Sequence, residues 1–138
     1  MKTIPLRKDV KQSDKWDLTS LFKTEQDWEV SLSKITEIAN KISEYQGQIK
    51  DSAQKMLEVL KLNEEMEQIA EAVGSYAFLL TTTDAGDSTY QDKQGRYMMA
   101  AVEAQTKTCF IVTEIQEIPE EELKTRMNLP DYAAYKIF

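Results

Sequence analysis

Apolar residues recur along this chain at intervals of three and four, which is the period of an α-helix. Trp28, Leu32, Ile35, Ala39 and Ile42 form one such stripe. Thr24 stands before it as an N-cap, with Glu25 and Asp27 in the positive first turn, so the pattern predicts a helix over 25–46 with Gly47 as its C-cap. Ser52 caps a second predicted helix, 52–61, on Ala53, Met56, Leu57 and Leu60. Asn63 caps a third, 64–81, whose stripe runs from Met66 through Ile69, Val73 and Ala77 to Leu80. Thr81 to Asp87 holds poor helix formers and Gly86, and reads as a loop. Asp87 or Ser88 then starts the longest helix, 88–116, and Ser88 with Gln91 fits a capping box. Gly95 inside it marks either a close helix crossing or a tolerated exposed position. Pro119 opens a fifth helix, 119–127.

Long helices on short links imply an all-α fold, an antiparallel helical bundle or set of long hairpins. Residues 1–15 are polar and read as an extended N-terminal arm, followed by a helical domain over 16–138. Trp16, with Leu18 and Leu21 beside it, is expected to anchor that arm by burying its ring against the first long helix. Tyr132, Tyr135, Ile137 and Phe138 close the sequence without a polar tail. That ending suits either a chain cut short, with an apolar surface near these aromatics, or a final helix tucked into its own core.

Composition narrows the class. At 138 residues the chain has the length of one domain, and its four glycines and three prolines leave little material for the turns of a β-sandwich. The net charge of −7 and the scattered lysines argue against nucleic-acid binding. One cysteine cannot form an internal disulfide, which suggests a reducing compartment, the cytoplasm by default. The N-terminus lacks the apolar core of a secretion signal, and no run approaches the ~18 apolar residues of a membrane span.

The chain contains no histidine, so neither the two-histidine zinc-protease helix nor a Ser-His-Asp or Cys-His arrangement can be written in it. Two carboxylate trios remain, Glu64, Glu65 and Glu67, and Glu120, Glu121 and Glu122. Both are read as opening helices, where acidic side chains favour the helix dipole without any metal. Asp84 and Asp87 lack calcium-loop spacing, and Met98, Met99 and Met127 read as core or interface filler. Cys109 is expected to be a buried, inert thiol, with a reactive role as the lesser alternative. No catalytic or metal-binding residue is therefore assigned, and substrate-binding residues stay unknown.

Three stretches carry a family resemblance. Trp16-Asp17-Leu18-Thr19-Ser20-Leu21-Phe22 with Trp28-Glu29 resembles the opening "WDLT-x-L-[FY]" and "W-E" pattern of oligoendopeptidase F, a zinc metallopeptidase of the thimet oligopeptidase superfamily. Tyr76-Ala77-Phe78-Leu79, Thr82-Thr83-Asp84 and Ser88-Thr89-Tyr90-Gln91 are similar to that family's tyrosine-alanine helix end, threonine-aspartate loop and next helix start. Ile118-Pro119-Glu120-Glu121-Glu122-Leu123 and Leu129 to Tyr135 are like its "IPEE-x-L" and "L-x-x-Y" pieces. The resemblance implies the helical N-terminal domain of a larger peptidase, covering a channel that admits short peptides. It implies zinc in a catalytic domain outside this chain, that domain as the main partner, and possible self-association of the 138 residues. A free-standing helical interaction or dimerisation module is the alternative.

Overall fold

The computed structural model describes residues 5–136, and among them five α-helices and no strand occur. They are α1 (Glu25–Ser43), α2 (Ala53–Thr83), α3 (Ser88–Thr108), α4 (Phe110–Gln116) and α5 (Glu120–Met127). The all-α architecture agrees with the sequence pattern. Local chemistry sets the helix starts. Thr24 Oγ1 accepts from the Asp27 N–H and Asp27 Oδ2 from the Thr24 N–H, each at 3.1 Å, which completes a capping box. Ser52 Oγ accepts from the Lys55 N–H at 3.2 Å. Asp87 caps α3 by accepting from the Thr89 N–H and hydroxyl, and the Ser88–Gln91 box does not form.

Several boundaries differ from the predicted ones. The second and third predicted helices are one continuous helix, α2. Asn63 does not cap: its side chain donates to Glu67 one turn on, at 2.9 Å. A mid-helix Asn costs less than ~0.7 kcal/mol, and with no proline or glycine between Ser52 and Val73 nothing stops propagation. α2 also runs through Thr83, because the hydroxyls of Thr81, Thr82 and Thr83 donate to the carbonyls of Phe78, Leu79 and Leu80. Conversely, the predicted 88–116 helix is interrupted at Cys109, which parts α3 from α4.

The packing direction can be read from the pairs. Between α1 and α2, Trp28 reaches Val73, Lys34 reaches Glu65, and Tyr45 beyond the end of α1 reaches Glu58, so the partner's number falls as the first rises. These helices are antiparallel. Between α1 and α3 the offset is constant at 67 residues, in Glu29–Arg96 and Asn40–Lys107, so they run parallel. The same offset continues into α4 with Gly47–Glu114 and Lys50–Glu117. The result is an up-down-up three-helix body, with α4 and α5 folded over the α1–α2 connection. Its core holds Trp28, Ile35, Ala39, Ile42, Val73 and Ala77 from the stripes that the spacing marked, together with Ile38, Ile49 and Val59, which it did not mark.

Gly74 sits where α2 meets α3. A Cβ there would fall into the Tyr97 ring, 2.7 Å from its hydroxyl oxygen. Gly95, the glycine weighed as a crossing, faces open space instead. Gly47 has φ +81° and supplies the left-handed residue after α1, which ends a little earlier than expected, at Ser43.

Candidate functional site: an apolar groove and an uncharged helix face

Three polar clusters lock the helices before any surface is considered. The Trp28 indole is buried, donates from Nε1 to Val73 O at 3.1 Å, and lies beneath Lys93, whose Nζ is 4.5 Å from the ring centroid. Arg96 is 5.5 Å from the same ring and forms a two-pronged pair with Glu29. That bond to Arg96, ahead of the opposing effect of burial, holds the Glu29 carboxyl below its ordinary range. At the other end, the buried Glu114 carboxylate accepts from the N–H groups of Gly47 and Ile49. Arg126, also buried, donates to the carbonyls of Ile49 and Lys50 and pairs with Glu122. Sequence reasoning missed Glu114 and Arg126, because a charge at an inward helical position reads as a flaw in the stripe until its partners are known.

Two surface features remain as candidates. The first is a groove of about 450 Å³ between α2, α4, α5 and the Pro130–Tyr135 turn. Leu60, Ile115, Leu123 and Met127 line its apolar walls, and Glu64, Glu67 and Tyr135 stand at its rim. Tyr135 donates to Glu64 at 3.0 Å, and burial followed by that bond pushes its phenol above the ordinary range. The groove can hold an apolar side chain, but no nucleophile stands beside a base in it.

The second is the outward face of α3 and α4. Met98 (51% exposed), Met99 (75%), Val102 (59%) and Val112 (63%) project into solvent. Gln91, Gly95, Gln105, Thr106, Cys109, Thr113 and Gln116 are exposed around them. In a chain that is 30% charged, this strip carries no charge along its centre. Met98 and Met99 are thus surface residues, whereas Met127 packs against the core.

Several sequence expectations are corrected here. Trp16 does not anchor the arm: it is 76% exposed, while Phe22 docks instead, edge-on to Tyr76 at 5.4 Å. Cys109 is exposed, its thiol turned to the Thr106 carbonyl at 3.2 Å. Glu64, Glu65 and Glu67 lie within α2 and not at a helix start; Glu65 pairs with Lys34 at 2.7 Å. Glu120, Glu121 and Glu122 do open α5, where Lys124 pairs with the first two and Arg126 with the third. Among the described residues no cluster of metal-ligating side chains occurs. Tyr132 is buried and donates to the Ala53 carbonyl, so it does not edge an open patch; Tyr135 is partly buried, and Ile137 and Phe138 lie outside the described residues.

The Phe22–Tyr76 contact joins two of the family-like stretches, and the third places Ile118 in the core before α5. Comparison with known proteins points the same way. The chain is 30% identical over 124 residues to oligopeptidase PepF of Bacillus subtilis (strain 168), an alignment covering 88% of this chain and 18% of that protein. The chain is an oligoendopeptidase F-like N-terminal region. It is also 23% identical over 133 residues to group B oligopeptidase PepB of Streptococcus agalactiae, covering 96% of the chain and 22% of that protein. Chromosomal oligoendopeptidase F of Lactococcus lactis subsp. cremoris is 31% identical over 91 residues, covering 65% and 15%. The chain therefore spans about a fifth of the length of the curated relatives it matches. No protein-family model and no solved structure matches it. No described helix is long and apolar enough to cross a membrane.

Proposed function

We propose that these residues are the helical N-terminal part of a cytoplasmic, zinc-dependent oligoendopeptidase, and that they limit access to its channel without performing catalysis. The observation that carries this reading is the match itself, which runs along most of this chain but only about a fifth of each oligopeptidase. The residue inventory supports it. A catalytic zinc commonly takes three protein ligands, often histidines, and keeps one position for the attacking water. This chain contributes no histidine, and its carboxylates form no metal-ligating group among the described residues, so no zinc ligand is assigned to it. Its role is steric: rigid helices locked by Glu114, Arg126 and the Trp28 cluster would admit an extended short peptide and reject a folded protein.

The test is peptide turnover. The 138-residue chain with added zinc is expected to leave a fluorogenic heptapeptide intact, and a parent-length protein carrying this region to cleave it. Turnover by the isolated chain that survives repurification and vanishes with chelator would overturn the reading. So would a stop codon directly after Phe138 in the natural gene, which would favour the free-standing interaction module that the uncharged α3–α4 face also suits.

A further inference from the structure

We propose that α4, α5 and the Pro130–Tyr135 turn form a latch that opens as one unit ahead of the three-helix body, and that its opening frees the α1–α2 connection and parts the walls of the apolar groove. The inference goes beyond the peptidase reading and does not depend on it. Two sets of contacts divide the molecule. The body is tied along its whole length, by Trp28 to Val73, Lys34 to Glu65, Glu29 to Arg96 and Asn40 to Lys107. The side-chain hydrogen bonds and ion pairs that residues 110–136 make with the rest of the described chain all land between Gly47 and Glu64. Glu117 pairs with Lys50 at 2.9 Å, Tyr132 donates to the Ala53 carbonyl, and Tyr135 donates to Glu64 at 3.0 Å.

At the centre of that footprint, two buried side chains of opposite charge grip one short stretch from both sides. Glu114 on α4 accepts from the N–H groups of Gly47 and Ile49, the latter at 3.2 Å. Arg126 on α5 donates to the carbonyls of Ile49 at 3.0 Å and Lys50 at 2.6 Å, and its acidic partner is Glu122. The stretch is therefore held only while both helices are seated. A buried charge stripped of its partners is costly, so α4, α5 and the connection let go together and not one at a time. The apolar attachment is the smaller one. Phe110, Ile111, Ile118 and Tyr132 are the buried apolar residues of the latch, against the six that α1 alone gives the body. A unit with less buried apolar surface opens at lower cost than the rest. The seam is already marked by the interruption at Cys109 and by the groove, with Met56 and Leu60 on its α2 wall and Ile115, Leu123 and Met127 on the latch wall.

Hydrogen exchange of the native chain in sub-denaturing urea, read amide by amide by NMR, tests the division. The helical amides of α4 and α5 and the Ile49 amide should share one opening step and one urea dependence. After correction for intrinsic rates they should exchange about tenfold or more faster than Ala39 and Val73 in the body. Ile35→Val, in the core of the body, should speed exchange of the body about fivefold and leave the latch unchanged, because the latch opens without unfolding the body. Arg126→Met should speed α4, α5 and Ile49 together by about tenfold or more, and the body with them, since the body unfolds only after the latch has left. Equal protection in all five helices would overturn the proposal, and so would an Ile35→Val chain whose latch and body speed up alike. An Ile49 amide that stays protected while α4 and α5 exchange would overturn the grip on the connection. The native chain and Ile35→Val decide the matter even where Arg126→Met fails to fold.

Discussion

The outer surfaces of α2 and α3 are built from the same helical period but carry opposite chemistry. Along the middle of α2 the exposed positions are Lys61, Glu64, Glu65, Glu67, Gln68 and Glu71, and several are tied locally: Glu65 to Lys34, Glu64 to Tyr135. Along α3 the corresponding run is Gly95, Met98, Met99, Val102, Gln105 and Thr106. The inner faces differ too: α2 buries Met56, Leu57, Val59, Met66, Val73 and Ala77, whereas α3 buries only Lys93 and Ala104, with Tyr97 and Ala100 partly buried, so the larger exposed apolar side chains of α3 stand on its outer face. A solvated helix face is normally charged, and a contiguous uncharged one is a surface adapted to contact. The difference teaches that the moment of a helix toward its own core says little about what its back is for.

The contrast depends on the rotation of α3, which the Trp28 cluster sets through Lys93 and Arg96. Its loss should therefore be the most damaging change. Trp28→Ala is expected to lower stability by about 3–5 kcal/mol, whereas Trp16→Ala should stay within about 0.5 kcal/mol, measured by urea unfolding. Equal effects would mean that the two tryptophans are not placed as described. Next comes the clamp that continues α3 into α4. Glu114→Ala strips the buried Ile49 N–H, and the more open Gly47 N–H, of their acceptor, at a cost of about 1–3 kcal/mol, with faster amide exchange at those two residues as the local signature.

The glycines offer a smaller, signed comparison between the inner and outer sides of the bundle. Gly74→Ala pushes a methyl into Tyr97 and should destabilise by about 1 kcal/mol, while Gly95→Ala meets open space and should stabilise by up to ~1 kcal/mol. If both stabilise, the α2–α3 approach is looser than the geometry indicates. Smallest is an acid effect. Glu29, held below its ordinary range by Arg96, contributes stability that is present above the unfolded-state glutamate value and lost as pH falls through the lower folded-state value. Melting temperature should therefore drop more steeply on acidification for the native chain than for Glu29→Gln, and parallel curves would contradict the pairing.

What was legible in the sequence was local. Thr24 and Ser52 cap as read, because a cap needs only residues within three positions, and much of the core of α1 and α2 lies on the stripes that the 3-4 spacing marked, though Ile38 and Val59 do not. Asn63 misled because a capping residue can equally hydrogen-bond to i+4 within a helix, and only the backbone decides between the two. Trp16 misled because an apolar cluster does not say which member turns inward; its neighbour Asp17 caps the Leu18–Ser20 turn, and Phe22 reaches the body. Glu114, Arg126 and the tight Gly74–Tyr97 approach join residues far apart along the chain, and no pattern of single positions displays them. The uncharged face of α3 was present in the sequence throughout, but with attention on the buried stripe its methionines passed as filler.

Cys109 lies within that face and is the chain's one cysteine, so its native thiol reports on the surface without any substitution. The rate of its alkylation by a small neutral reagent, followed by intact mass, tests the placement of that face most directly. The folded chain should react without denaturant as an open, solvent-accessible thiol. A thiol that reacts only after denaturation would contradict the placement of α3 and its outer face.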